Sequence, residues 1–198
     1  MEFGNKKMPL TAVVMASGHS TRFKGDKLLA PVDGVPMIEK LFMAMPKGVF
    51  ERVVVVSRYE EILKMAESYG FMPVFNDDTT NDTAVTIRLG MENIYPESAG
   101  CACFVGDQPW LKGETVLSLA ELFIKNSGKI CLPVSGGKRG NPVFFPAETF
   151  RELKNLLPNE QGKAVIKKHP DLILTQEADS LELRDVDYAS DLNTAEKA

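Results

Sequence analysis

The sequence predicts a doubly wound α/β fold, with a mostly parallel sheet between two layers of helices (α/β/α). Two observations predict it. Leu10–Ala16, Arg52–Val56, Cys101–Val105 and Ile130–Val134 are near-continuous apolar runs. Runs without polar alternation are buried on both faces, as the strands of a parallel sheet are. Helical patterns separate these runs, and a β-α-β-α order is the mark of a parallel sheet. Length and composition agree. A chain of 198 residues, 44% hydrophobic and 25% charged, suffices for one globular domain spanning 1–198.

Each element has its own signal. Leu10–Ala16 ends on Ser17-Gly18, a strand running into a loop. Met37–Met45 follows Pro36, whose fixed φ suits a first helical turn, and sets Ile38, Leu41, Phe42 and Met45 on one face. Glu60–Tyr69 is helical and stops at Gly70, a C-terminal cap. Ala84–Ile94 and Glu114–Ile124 carry the same period. After Val134 the turn-rich Ser135–Gly140 leads into Asn141–Phe145, a hairpin or a longer excursion. Thr149–Leu157 and Gly162–Lys168 read as short helices, Leu172–Thr175 and Leu181–Leu183 as short strands, and Tyr188–Ala195 as a last helix.

Charge narrows the function. Lys and Arg number 23 against 27 Asp and Glu, a net charge of −4. That balance argues against a nucleic-acid partner, since such proteins carry a basic excess. A small polyanion would need positive charge focused locally. Cys101, Cys103 and Cys131 lie in apolar runs without a Cys-x-x-Cys motif, which reads as core thiols in a reducing compartment. Met1–Pro9 is polar and unlike a signal peptide, and Leu10–Ala16 is too short to span a bilayer. The expectation is a cytoplasmic chain with no membrane partner.

Ala16-Ser17-Gly18-His19-Ser20-Thr21-Arg22-Phe23-Lys24-Gly25-Asp26-Lys27 supplies the local charge. Small residues let backbone N–H groups approach phosphate oxygens, and Arg and Lys add charge-assisted bonds. It is not a P-loop, because Asp26 follows Gly25 where Lys is needed. It is not a dinucleotide fingerprint, because Ser20 stands where the second Gly belongs. His19 is either a phosphate contact or an exposed loop residue. Gly106-Asp107-Gln108-Pro109 follows the third apolar run, putting a carboxylate at the C-terminal end of a parallel strand, where ligands bind in such sheets. A hard oxygen ligand there suits Mg²⁺; a turn former is the structural alternative. Asp185 and Asp187, two apart in an extended segment, project to one side. Trp110 reads as a packing residue and His169 as a favourable charge at a helix C-terminus.

Gly18, Arg22, Gly25 and Lys27, followed by Leu28-Leu29-Ala30-Pro31, Gly34 and Pro36, resemble the Gly-x-x-x-Arg-x-x-Gly-x-Lys pattern of nucleotidyltransferases. The stretch Val13–Pro36 is similar to the MobA/MocA-like NTP transferases, which move a nucleotide to molybdopterin in molybdenum cofactor maturation. Gly106-Asp107-Gln108-Pro109 matches the family's Gly-Asp-x-Pro, and Asp185–Leu192 partly matches its Asp-Ile-Asp-Thr-Pro-x-Asp-Leu.

The resemblance implies a Rossmann-like fold of the nucleotide-diphospho-sugar transferase type. It implies Arg22, Lys27 and Asp107 as catalytic groups, and Asp107 with Asp187 as ligands of Mg²⁺, or of Mn²⁺ in its place. Asp191 then stands near the start of the last helix. Ala16, Ser17, Gly18, His19, Ser20 and Thr21 would hold the NTP, and Thr86 would lie near its base. Arg139 and Asn141, in a Gly-Asn-Pro element, would face a molybdopterin-like acceptor or simply form a hairpin turn. Ala16-Ser17-Gly18 is nearest in size to the cytosine-using pattern, which points to CTP. Guanylyl transfer, a sugar or alcohol phosphate acceptor, and a non-catalytic escort delivering cofactor to a molybdoenzyme are the alternatives. Two segments depart from the family: Asp82 replaces a Gly and Thr86 a Ser in Asp82–Arg88, and Asn159-Glu160-Gln161-Gly162 stands where Gly-Asp-x-Gly is usual.

Overall fold

The Leu10–Ala16 run is an interior strand of the main sheet. The computed structural model describes residues 2–3, 6–20, 23 and 26–192, of which 2–3 and 6–7 as backbone only. In chain order the elements are β1 (Leu10–Ala16), α1 (Met37–Met43), β2 (Arg52–Ser57), α2 (Glu60–Ser68), β3 (Met72–Phe75), α3 (Thr83–Glu92), β4 (Gly100–Val105), α4 (Gly113–Lys125), β5 (Ile130–Ser135), β6 (Lys138–Arg139), β7 (Val143–Pro146), α5 (Phe150–Lys154), α6 (Gly162–Lys168) and β8 (Ile173–Glu177). The strand order is β6-β5-β7-β4-β1-β2-β3, with β8 also on β5. β1 pairs in parallel with β2 and β4, β2 with β3, and β5 with β8; β6 and β7 run antiparallel to their neighbours. The sheet is thus mixed and mostly parallel, as the sequence predicts.

Side-chain alternation along β1 divides the core. Leu10, Ala12, Val14 and Ala16 pack with α1, α2 and α4. Val13 packs on the other face with α3, α5 and α6. Successive strand residues point to opposite faces, so one apolar run feeds two helix layers. Gly90 lets α3 lie close on β1: a Cβ there would stand 2.3 Å from Val13 Cγ1. α2 ends as the sequence predicts. Gly70 is left-handed (φ 74°), its N–H reaches the Glu67 carbonyl, and the Phe71 N–H reaches that of Ala66. This is a Schellman closure.

From β1 the chain winds outward through β2 to β3, and α3 then returns it to β4 on the other side of β1. The C-terminal ends of β1 and β4 therefore flank a topological switch point, where a crevice opens. The excursion after β5 is a hairpin. Gly136 and Gly137 both have positive φ (54° and 77°), as a type I′ turn requires, and β7 then inserts between β5 and β4.

Three expectations need correction. β3 was not anticipated: it is an edge strand with Pro73 inside it and Phe75 exposed, so it lacks an apolar run. Residues 181–183 form a turn rather than a strand, because the Asp179 carboxylate accepts the Leu181 N–H and its carbonyl accepts that of Glu182. In the expected helix Tyr188–Ala195, residues 189–192 form a 3₁₀ turn and 193–195 lie outside the described residues. Among the described residues no helix is long and apolar enough to cross a membrane.

Candidate functional site

Two adjoining cavities open at the switch point, and both are lined by Met15, Thr83 and Val105. The smaller, about 180 Å³, lies among Ser17, Gly18, Ser20, Lys27, Thr86 and Asp107. The larger, about 490 Å³, reaches Arg139, Asn141, Lys163, Lys167 and Asp185. Ligand sites in α/β sheets have this position and size.

The loop after β1 is fixed from the β2 side. Ser17 Oγ donates to the Val56 carbonyl at 3.1 Å. Arg58 Nε donates to the Ser17 carbonyl at 2.8 Å and Nη2 to that of Asp78 at 2.6 Å, while Nη1 rests against His19 Nε2. Tyr59 Oη donates to the Gly18 carbonyl at 2.9 Å, and the His19 N–H donates to Asn81 Oδ1 at 2.9 Å. A planar trans peptide sets its N–H opposite its C=O. With the Ser17 carbonyl held by Arg58, the Gly18 N–H points the other way. His19 is thus a loop brace. Ala16 is buried, and its carbonyl accepts from Ser57 Oγ at 2.8 Å. Thr21 and Arg22 lie outside the described residues.

Lys27 opens a 3₁₀ turn anchored by buried Leu28. Its Nζ stands 2.8 Å from Asp107 Oδ2, and the two side chains are only 13% and 23% exposed. Asp107 is reached through Gly106, where a Cβ would come within 3.1–3.2 Å of Ile38, Leu28 and the Met15 carbonyl. The tail joins here, since the Val186 N–H donates to the Asp107 carbonyl at 3.0 Å. Val186 is buried, so Asp185 and Asp187 fall together on the opposite side, as the alternation predicts.

Asp185 is exposed as a residue, yet its carboxylate lies on buried Gln108, whose Nε2 donates to Oδ1 at 2.9 Å and to the Leu183 carbonyl at 3.1 Å. Burial pushes the Asp185 carboxyl up to about 6; the Asp107 and Asp187 charges add to the rise, and Gln108 and Lys27 oppose it. Asp191 accepts the Asp187 and Tyr188 N–H groups at 2.9 and 2.8 Å, which hold its carboxyl below the usual range. It pins the tail instead of serving a helix dipole. Among the described residues no three His, Cys, Asp or Glu side chains form a complete metal cluster. The donors at hand are carboxylates, which fit a hard divalent ion that takes one or two protein ligands and fills the rest with phosphate and water.

Buried Asn76 donates to Thr86 Oγ1 at 3.2 Å and accepts the Asp78 N–H at 3.0 Å, fixing Thr86 at the small cavity. Asp82 caps α3, accepting the Ala84 N–H at 2.9 Å, and the same oxygen accepts the Asn159 N–H at 3.1 Å. The two departures from the family pattern therefore touch. Trp110 lies under the Arg184 guanidinium, 5.9 Å from its centroid, which is a packing arrangement. His169 Nε2 lies 2.5 Å from Glu152 Oε1, joining α5 to α6.

A MobA-like NTP transferase domain matches residues 12–172. The chain belongs to that family. A probable molybdenum cofactor guanylyltransferase from Aquifex aeolicus is 33% identical over 115 residues, 57% of this chain and 53% of the relative. A 3-deoxy-manno-octulosonate cytidylyltransferase from Nitratiruptor is 28% identical over 122 residues, 58% of this chain and 48% of the relative. The chain spans about half the length of the curated relatives it matches. Rv0371c from Mycobacterium tuberculosis superposes with a TM-score of 0.83 at 18% identity, over 98% of this chain and 100% of that one. Another structure of Rv0371c, in complex with manganese, has a TM-score of 0.77 at 18% identity, over 96% of this chain and 98% of that one. The fold is that of the nucleotide-diphospho-sugar transferases.

This MobA-like domain also uses residues that no motif singled out. Arg58 and Tyr59 brace the loop after β1, Asn76 positions Thr86, and Gln108 holds Asp185. They act mostly on backbone groups far away in sequence, and only Gln108 lay within a segment marked by pattern.

Proposed function

We propose that the chain is a nucleotidyltransferase that moves a nucleoside monophosphate from an NTP to a phosphorylated acceptor, with CTP and a molybdopterin-like acceptor as the favoured pair. The observation that carries this reading is the Lys27–Asp107 ion pair at the switch point. It stands between a braced Gly/Ser loop and a carboxylate-rich tail.

An acceptor phosphate oxygen forms a bond to the α-phosphorus in line, and the α-phosphorus–bridging oxygen bond breaks to release pyrophosphate. Such transfers proceed by positioning and charge stabilisation without a covalent enzyme intermediate. Backbone N–H groups of Gly18 and Ser20 would bind phosphate oxygens, and Arg22, by its match to the family pattern, would neutralise the departing pyrophosphate. Lys27 lies between the α-phosphate and the incoming phosphate and offsets their repulsion. Asp107 and Asp187, with Asp185 beside them, would hold Mg²⁺ or Mn²⁺, which when bound polarises the α-phosphate.

Ser17 keeps its hydroxyl on Val56, so toward the base it offers bulk and no free donor, which favours the smaller pyrimidine. The Aquifex relative favours the molybdenum cofactor acceptor, and its name keeps guanylyl transfer as the second reading. Pyrophosphate release is measured with each NTP, with and without molybdopterin and Mg²⁺. Release with CTP, molybdopterin and Mg²⁺ together is the expected result. Release with GTP alone reassigns the base, and release only with 3-deoxy-manno-octulosonate reassigns the acceptor. No release in any combination replaces the enzyme with an escort.

A further inference from the structure

Glu182 is buried, at 5% exposure, and among the described residues it is the one Asp, Glu, Lys or Arg so placed. A carboxylate withdrawn from water is costly unless it is hydrogen-bonded or paired. Glu182 Oε2 accepts the Lys112 backbone N–H at 3.1 Å, and Oε1 lies 3.4 Å from Lys112 Nζ. The Nζ end is largely exposed, so the backbone bond is the stronger constraint. Lys112 is the N-cap of α4, whose dipole also favours an anion there. Residues 106–112 link β4 to α4. Glu182 thus fastens the tail to one end of this link, while Asp107 stands at the other. Between these ends the contacts run in reverse order. Arg184 lies over Trp110, Gln108 Nε2 donates to the Leu183 carbonyl and to Asp185, and the Val186 N–H donates to the Asp107 carbonyl. The tail therefore lies antiparallel along the link.

We propose that Glu182 is a positioning residue. Bound to the Lys112 N–H, it fixes the register in which the tail lies along the link, and so sets Asp185 and Asp187 beside Asp107. It acts through the tail and touches no substrate. That these carboxylates serve nucleotidyl transfer rests on the reading above; the part Glu182 plays in placing them rests on the contacts. β8 ends at Glu177 and a turn closed by the Glu182 N–H on the Asp179 carbonyl follows, so the sheet does not carry its register into the tail. A backbone bond such as that of Val186 can be made by any residue and selects no register. Side chains select it: Gln108 beside the reaction centre and Glu182 at the far end. A slip of one residue would turn Val186 out of the core and Asp185 and Asp187 into it.

The test uses two readouts on the full chain. Binding of Mn²⁺ without nucleotide, followed by the paramagnetic resonance of the free ion, reads how the carboxylates are placed. Acrylamide quenching of Trp110, the one tryptophan in the chain, reads whether the tail covers it. Glu182→Met keeps length and bulk but offers the Lys112 N–H no oxygen. It is expected to bind Mn²⁺ about tenfold more weakly than wild type, the loss typical of contacts that orient metal ligands, and to leave Trp110 more open to acrylamide. Glu182→Gln keeps an acceptor oxygen and should recover most of both. Glu182→Ala should behave as Glu182→Met does, so the comparison does not hang on one variant folding. An unchanged Mn²⁺ affinity in Glu182→Met, whatever its urea midpoint, makes Glu182 a brace of the fold alone and overturns the proposal. Quenching equal to wild type, or a loss in Glu182→Gln as large as in Glu182→Met, overturns it too, as does a wild type that takes up no Mn²⁺. Pyrophosphate release by wild type is measured separately. Its absence would count against nucleotidyl transfer, while the Mn²⁺ comparison still decides the role of Glu182.

Discussion

The Lys27 ammonium lies 2.8 Å from the Asp107 carboxylate, joining the segment after β1 to the end of β4 across 80 residues of sequence. Each group orients the other before any substrate arrives. Lys27→Ala should lower nucleotidyl transfer about 100-fold or more, the cost typical of losing one aligned charge at a transition state. The Lys27→Ala/Asp107→Ala double variant should be little worse than the poorer single one, since the two groups act together. Steady-state kinetics of the single and double variants check this; a Lys27→Ala enzyme with wild-type turnover would remove the assignment.

Arg58 holds the Ser17 and Asp78 carbonyls together and so fixes the direction of the Gly18 N–H. Arg58→Lys keeps the charge but has one nitrogen where the guanidinium uses three. The KM for NTP should rise about tenfold, as one charge-assisted contact would predict, with kcat changed less. A fall in kcat at unchanged KM would place Arg58 in the chemistry instead of in binding.

Gly90 packs directly on Val13 where α3 crosses β1. In Gly90→Ala the new methyl would stand 2.3 Å from Val13 Cγ1. Valine is stiff in a strand and cannot swing aside, so overpacking by about 1–3 kcal/mol should outweigh the roughly 1 kcal/mol gain in helix propensity. A lower urea midpoint checks this, and a Gly90→Ala/Val13→Ala variant should recover part of the loss.

The three cysteines should be silent in the native protein. All are buried, and burial pushes the Cys131 thiol up to about 11 and that of Cys101 well above its usual value. At pH 8 the thiolate form of these two is scarce, so a thiol-specific dye should react with none of the three in native buffer and with all three in guanidinium. Fast labelling of native protein would show that the sheet opens locally.

How far the sequence could be read depended on where each signal lies. β1, β2, β4 and β5 were legible because burial on both faces leaves an uninterrupted apolar run. β3 was not, because an edge strand with Pro73 and an outward Phe75 follows neither pattern. Leu181–Leu183 looked like a strand by composition, but local bonds to Asp179 bend it into a turn. At the site, the family pattern singled out Lys27 and Asp107, which the structure brings together, and the two-residue alternation put Asp185 and Asp187 on one side. The burial of Ala16 and the braces from Arg58 and Asn76 could not, since they arise from contacts to backbone or side chains on other elements.

The shared Asp82 oxygen ties together two positions 77 residues apart. It accepts the backbone N–H of Asn159, a residue held at a positive φ of 66°. Proline at 159 would remove that N–H and could not adopt that φ. With the acid at 82 in this bridge, proline at 159 is therefore excluded. Glycine at 82 would give up both the helix cap and the bridge, and so loosen the start of α3 and the turn at 159 with one substitution.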